Sequence, residues 1–206
     1  ALTKSEKRNI VLTNYISLTA AAAPLLILGT KTLFFEQELK DSIVQLTGSF
    51  VLLIPIVLNR FGWVNAARFI LCWIPFVFLF VGSILGIQES VFTQDYFTVR
   101  YFFLAFGFFP FLVFDLRKSR LFMIGLSGPV LSILFFDPIL NLFGVGFEQK
   151  GFADESYSFN TVRVFISFLI IGFSCFFLKR LIEKAEETNE NLVHELAEKN
   201  RKIQQH

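Results

Sequence analysis

Six apolar stretches set the frame of this chain: residues 10 to 30, 42 to 58, 66 to 87, 97 to 115, 121 to 136 and 162 to 181. Each approaches the roughly 20 apolar residues that a helix needs to cross a hydrocarbon core of about 30 Å. The fifth is loosened by Gly125, Gly128 and Pro129 and closed early by Asp137-Pro138, so Ile139 to Phe147 is read as an interfacial or re-entrant piece. The fold class expected is an all-α membrane protein, a bundle of six transmembrane helices.

Beyond the sixth stretch the pattern turns amphipathic without a breaker. Leu178-Lys179-Arg180-Leu181-Ile182 leads into Glu183 to Gln205 with no Gly or Pro, so one helix is expected to run from membrane to cytosol. With Ile182, Asn189, Leu196 and Ile203 at a and Leu178, Ala185, Leu192 and Lys199 at d, the seven-residue repeat of a coiled coil extends to the end. Asn189 at an a position is the kind of buried polar residue that fixes register in a parallel pair, while Lys199 at d weakens the seam. A lone amphipathic helix on the headgroups is the alternative, and anionic lipid would repel its Glu-rich face. The domain reading is a transmembrane bundle over 1–181 and a cytoplasmic parallel coiled coil over 182–206, which would make the protein a homodimer. Gly82-x-x-x-Gly86, with Ser83 beside it, offers a second close-approach surface on the third helix, for the dimer or for packing within the bundle.

Composition narrows the function classes. The chain has 206 residues, 54% hydrophobic and 17% charged, which a soluble domain could not keep off its surface. Residues 69–88 carry no charge, whereas residues 179–206 carry 12 charged side chains, so two environments share one chain. A net charge of +2 does not point to nucleic acid. Lys4/Lys7/Arg8, Arg60/Arg68, Arg117/Lys118/Arg120 and Lys179/Arg180/Lys184 fall on one side of the expected membrane, and that side is read as cytoplasmic. The location expected is the bacterial cytoplasmic (inner) membrane, with both termini inside. The absence of an initial Met and the stop at His206 inside a helical pattern lead us to expect a piece of a longer protein.

Candidate chemistry is sparse. Cys72 and Cys175 lie in apolar runs and imply no disulfide framework. The expected membrane helices hold no His and one Met, which gives haem, copper or a His-based pump nothing to bind; no cofactor, metal site or catalytic residue is expected. Arg100 and Arg163 stand at similar inferred depth near the outer face. Ionisable groups there are costly and are functional suspects, and two forked guanidinium groups suit a carboxylate or phosphate. Asp95 and Asp137 are the acids placed to neutralise them. The connection from Asp137 to Thr161, mixing Phe143, Phe147 and Phe152 with acids, is read as a lid over the outer mouth or as a loop lying on the headgroups. The 29 Phe residues are assigned chiefly to lipid and helix contacts, with an apolar ligand cavity as the other use.

Six membrane helices followed by Lys179-Arg180-Leu181-Ile182-Glu183-Lys184-Ala185-Glu186-Glu187-Thr188-Asn189 resemble the membrane half of bacterial receptors whose C-terminal output is a sensor histidine kinase or a class III nucleotide cyclase. The resemblance implies a sensor that passes a signal through a dimeric helix to a cytosolic output domain. His194-Glu195-Leu196 is similar to the phosphoacceptor box of histidine kinases, but Ala197-Glu198-Lys199 follows where that box continues toward Pro, so His194 is read as a solvated coil residue. The competing class is a small transporter or channel subunit with a coiled-coil assembly tail. Transport calls for broken helices or mid-membrane polar groups, and in the sequence only Gly125 to Pro129 suggests a break.

Overall fold

The computed structural model describes residues 4–34, 39–89, 94–116, 118–152 and 157–204, with the backbone alone for residues 4, 5, 31, 34, 39–41, 88, 89, 94, 95 and 158. The regular elements among the described residues are all helices: α1 (Lys4–Phe34), α2 (Leu39–Arg60), α3 (Val64–Glu89), α4 (Gln94–Phe106), α5 (Phe109–Val113), α6 (Ser119–Leu134), α7 (Phe136–Leu142) and α8 (Tyr157–Gln204). Five spans are long and apolar enough to cross a membrane, α4 with α5 counting as one of them; the bent pair α6–α7 makes a sixth if taken together. Outward faces carry large apolar side chains such as Leu26, Phe50 and Phe173, each about two-thirds exposed or more. So much exposed apolar surface suits hydrocarbon rather than water, and suggests a multi-pass membrane protein.

Two interruptions follow from proline chemistry. Proline lacks an N–H and its ring crowds the carbonyl four residues earlier. Helix α4 ends at Phe106, four residues before Pro110, and α6 ends at Leu134, four residues before Pro138. The single helix expected over 97–115 is therefore two pieces joined by a turn at Gly107–Phe108. The break expected at Gly125 to Pro129 is instead at Phe135, where α6 and α7 diverge by 64°. Pro24, Pro55, Pro75 and Pro129 stay inside their helices.

Helix α3 packs against α1, α2, α4, α5 and α6, while α8 leans on α4, α5 and α6. One core joins Phe76, Phe103, Phe136, Leu140 and Phe168; a second joins Leu71, Cys72, Phe111, Val113, Phe114 and Phe122. Gly107 lets α8 approach, since a Cβ there would stand 2.7 Å from the Phe168 ring and 3.0 Å from the Phe103 carbonyl oxygen. Beside Gly82 and Gly86, by contrast, nothing from the described residues lies within 4 Å of where a Cβ would be. Their close-approach surface is unused among the described residues.

Helix α8 is the longest element, 48 residues, about 70 Å at 1.5 Å per residue. It continues unbroken past Leu181, where the last apolar stretch ends, to Gln204. Its tail is exposed, including the apolar a and d residues Ile182, Leu192, Leu196 and Ile203.

Candidate functional site

Two polar clusters lie on α8, one at each end of its apolar part. The one at the start of α8 is built on Arg100, carried by α4 and only 3% exposed. A lone guanidinium at such a position is costly, and the fold surrounds it with acceptors from α7 and α8. Arg100 Nη2 donates to both oxygens of Asp137 at 2.8 and 2.9 Å and to the Tyr157 hydroxyl at 2.7 Å. Nη1 donates to Thr161 Oγ1 at 2.7 Å. The Tyr157 and Thr161 hydroxyls donate in turn to Asp137 Oδ1 and Oδ2, at 2.5 and 2.9 Å. The guanidinium carbon also lies 4.9 Å from the ring centres of Phe136 and Tyr157, within cation–π range. Four side chains from three helices close into one network; Arg100 Nε alone among its donors is buried without a partner among the described residues.

The break before α7 is what makes this possible. Pro138 turns the chain at Phe135, and the redirected α7 presents Asp137 toward Arg100. The connection after α7 then folds back over the network. Tyr96 donates its hydroxyl to the Val145 carbonyl at 2.5 Å, and the Phe147 ring stacks on Tyr157 with centroids 3.7 Å apart. Phe147 is buried and Phe152 packs beside it and against Tyr96, while Phe143 is exposed, so the connection covers the network with two of its aromatic residues and turns the third outward. Burial, and then the hydrogen bond to Asp137, push the Tyr157 phenol above its ordinary value, with Arg100 opposing. The phenol stays protonated and remains a donor.

The expected site residues divide clearly. Arg100 and Asp137 are brought together. Arg163 is exposed on a different face of α8 from Thr161 and Val164 and does not join them. The side chain of Asp95 lies outside the described residues. Among the described residues the Nη groups of Arg100 already bond Asp137, Tyr157 and Thr161.

The second cluster, where the apolar part of α8 ends, was not anticipated. Glu183, buried among exposed neighbours on α8, accepts from the Leu116 N–H at 3.1 Å, and Lys179 Nζ donates to the Leu112 carbonyl at 3.3 Å. Arg8 of α1 pairs with Glu186, and Lys118 Nζ pairs with Glu6 at 2.9 Å. Arg68, counted in the sequence as a topology charge, is 2% exposed, with the charges of Glu6 and Asp115 acting on it. The α5–α6 connection and the start of α1 thus hold α8 where its apolar part ends. Tyr157 with Thr161 was legible only as an i,i+4 pair at the start of an apolar helix, and Glu183 only as an acid four residues after Lys179; neither spacing is distinctive.

Among the described residues no three His, Cys, Asp or Glu side chains converge. No family model, curated protein or solved structure matches the chain.

Proposed function

We propose that this chain is the membrane sensor and transducer part of a bacterial receptor. It works as a homodimer in the cytoplasmic membrane, both termini inside, and passes a change in bundle packing along α8 to a C-terminal output domain of the histidine kinase or nucleotide cyclase type. The observation that carries this reading is the unbroken α8, tied to the bundle at two levels. Thr161 and Glu183 are 22 residues apart, about 33 Å along a helix, close to the thickness of a hydrocarbon core. A carboxylate or phosphate that displaced Asp137 from Arg100 would free α8 from α7. The rod would then carry the shift to its inner ties, because a ligand moves an equilibrium by its difference in affinity for the two states. The exposed Ile182, Leu192, Leu196 and Ile203 supply the seam of the parallel coil, with Ala185 and Asn189 completing it. Gly82 and Gly86 leave a face on which a second copy can pack closely.

The interrupted α4–α5 and α6–α7 helices are the feature a transporter would share. Against that reading, the region between Arg100 and the inner cluster holds Phe103, Phe111, Val113, Phe114 and Phe168, all buried apolar side chains, and these offer a solute no polar path.

Single cysteines at positions 189, 190, 192, 194 and 196 in native membranes test the reading. Disulfide formation should favour 189, 192 and 196 over 190 and 194, and Asp137→Asn should change the relative yields. A flat pattern would remove the coil. A seam pattern indifferent to Asp137→Asn would leave a dimer whose outer network transmits nothing.

A further inference from the structure

A cavity of about 150 Å³ lies among α1, α2, α3 and α4. Ala23 and Pro24 of α1, Gly48 of α2, Pro75 and Phe78 of α3 and Phe106 of α4 form much of its wall. Its origin is readable in those residues. Pro24 and Pro75 lie within their helices, where each ring crowds the carbonyl one turn back. Gly48 contributes no side chain, and the Phe78 ring stands where its Cβ would be. Gln45 also lines the cavity; its Oε1 is buried without a hydrogen-bond partner among the described residues and adds no polar surface to the wall, and one such atom is fewer than the two to four partners a water needs.

We propose that this cavity is a binding site for one apolar molecule the size of a single aromatic ring. Water needs two to four polar partners to settle in a cavity, and an apolar cavity of about 150 Å³ stays dry and accepts benzene or xenon. A void leaves its lining without dispersion partners on one side, and a ring restores those contacts. A molecule arriving from the hydrocarbon of a membrane gains little from leaving it, because lipid tails are as apolar as the wall. Selection is therefore by size. A compact ring fills the space, which stays partly open between the helices, whereas a whole lipid acyl chain is too large for it. The inference stands independently of the transducer reading, since it uses neither the Arg100 network nor the tail of α8.

The test uses the full chain in lipid nanodiscs, with para-fluorophenylalanine at Phe78 and, in a second sample, at the exposed Phe173. Benzene is titrated and the fluorine resonance followed. A saturable shift is expected at Phe78, with only a linear drift at Phe173 from benzene dissolved in lipid. Ala23→Leu fills the cavity and should abolish the saturable phase, while Ala23→Ser, close to the parent in size, should keep it. Linear drift at both labels, or saturation that survives Ala23→Leu, would overturn the site. Saturable binding of phenol but not of benzene would overturn the apolar class.

Discussion

Removing Asp137 and removing Arg100 should not cost the same, although they are partners in one ion pair. Asp137→Ala leaves a guanidinium that is 3% exposed with only the Thr161 and Tyr157 hydroxyls as acceptors. Stripping a buried charge of its partner costs about 3–5 kcal/mol. Asp137 is 29% exposed, so water can take part of its place and the lower end, about 3 kcal/mol, is expected. Arg100→Met leaves the partly exposed Asp137 carboxylate still accepting from Tyr157 and Thr161. Its loss should be nearer 1–2 kcal/mol, the scale of a hydrogen bond to a charged group. In the double variant no unpaired charge remains, and it should be about 2 kcal/mol less destabilised than the two single changes together, within the range for residues in one network. Equilibrium unfolding by SDS titration in mixed micelles, followed by Trp63 and Trp73 fluorescence, gives all four corners of the cycle. Additivity within about 0.5 kcal/mol would mean that the pair is not made. A larger loss for Arg100→Met than for Asp137→Ala would refute the argument from burial.

Two further outcomes are open to measurement. Changing both Leu192 and Leu196 to Glu places four like charges across the seam of a parallel pair, so crosslinking through Asn189→Cys should disappear; undiminished crosslinking would remove the coil. Topology is exposed to labelling: Gln149→Cys should react with a membrane-impermeant thiol reagent from outside the cell and Ser119→Cys should not, and the reverse pattern would invert the protein.

The apolar stretches located the helices because helix length and hydropathy are local properties, set by about 20 consecutive residues whatever packs beside them. The continuation of α8 was legible for the same reason: no Gly or Pro lies between Leu178 and Gln204. Proline was legible as a residue but not as an outcome. Six prolines occur in the chain; Pro110 and Pro138 stand four residues after the end of one helix and in the first turn of the next, while Pro24, Pro55, Pro75 and Pro129 are carried within unbroken helices. Local chemistry frees a carbonyl at every proline; whether the helix then breaks depends on what neighbouring helices supply.

Partnership between charges belonged wholly to the tertiary level. Arg100 and Arg163 have the same inferred depth, yet one is turned into the bundle and the other out of it, because Thr161 and Val164 rather than Arg163 face the bundle from α8. The sequence marked Asp137 as a residue able to neutralise Arg100, but Tyr157, Thr161 and the stacked Phe147 entered only when α7 turned through 64° and the following connection folded back. Sequence by itself determined which stretches are apolar and helical, since that follows from contiguous residues, but not where Pro110 and Pro138 interrupt them. Only the tertiary structure decided which polar groups meet, since each such contact joins residues that are distant in the chain and depends on the rotation of one helix against another.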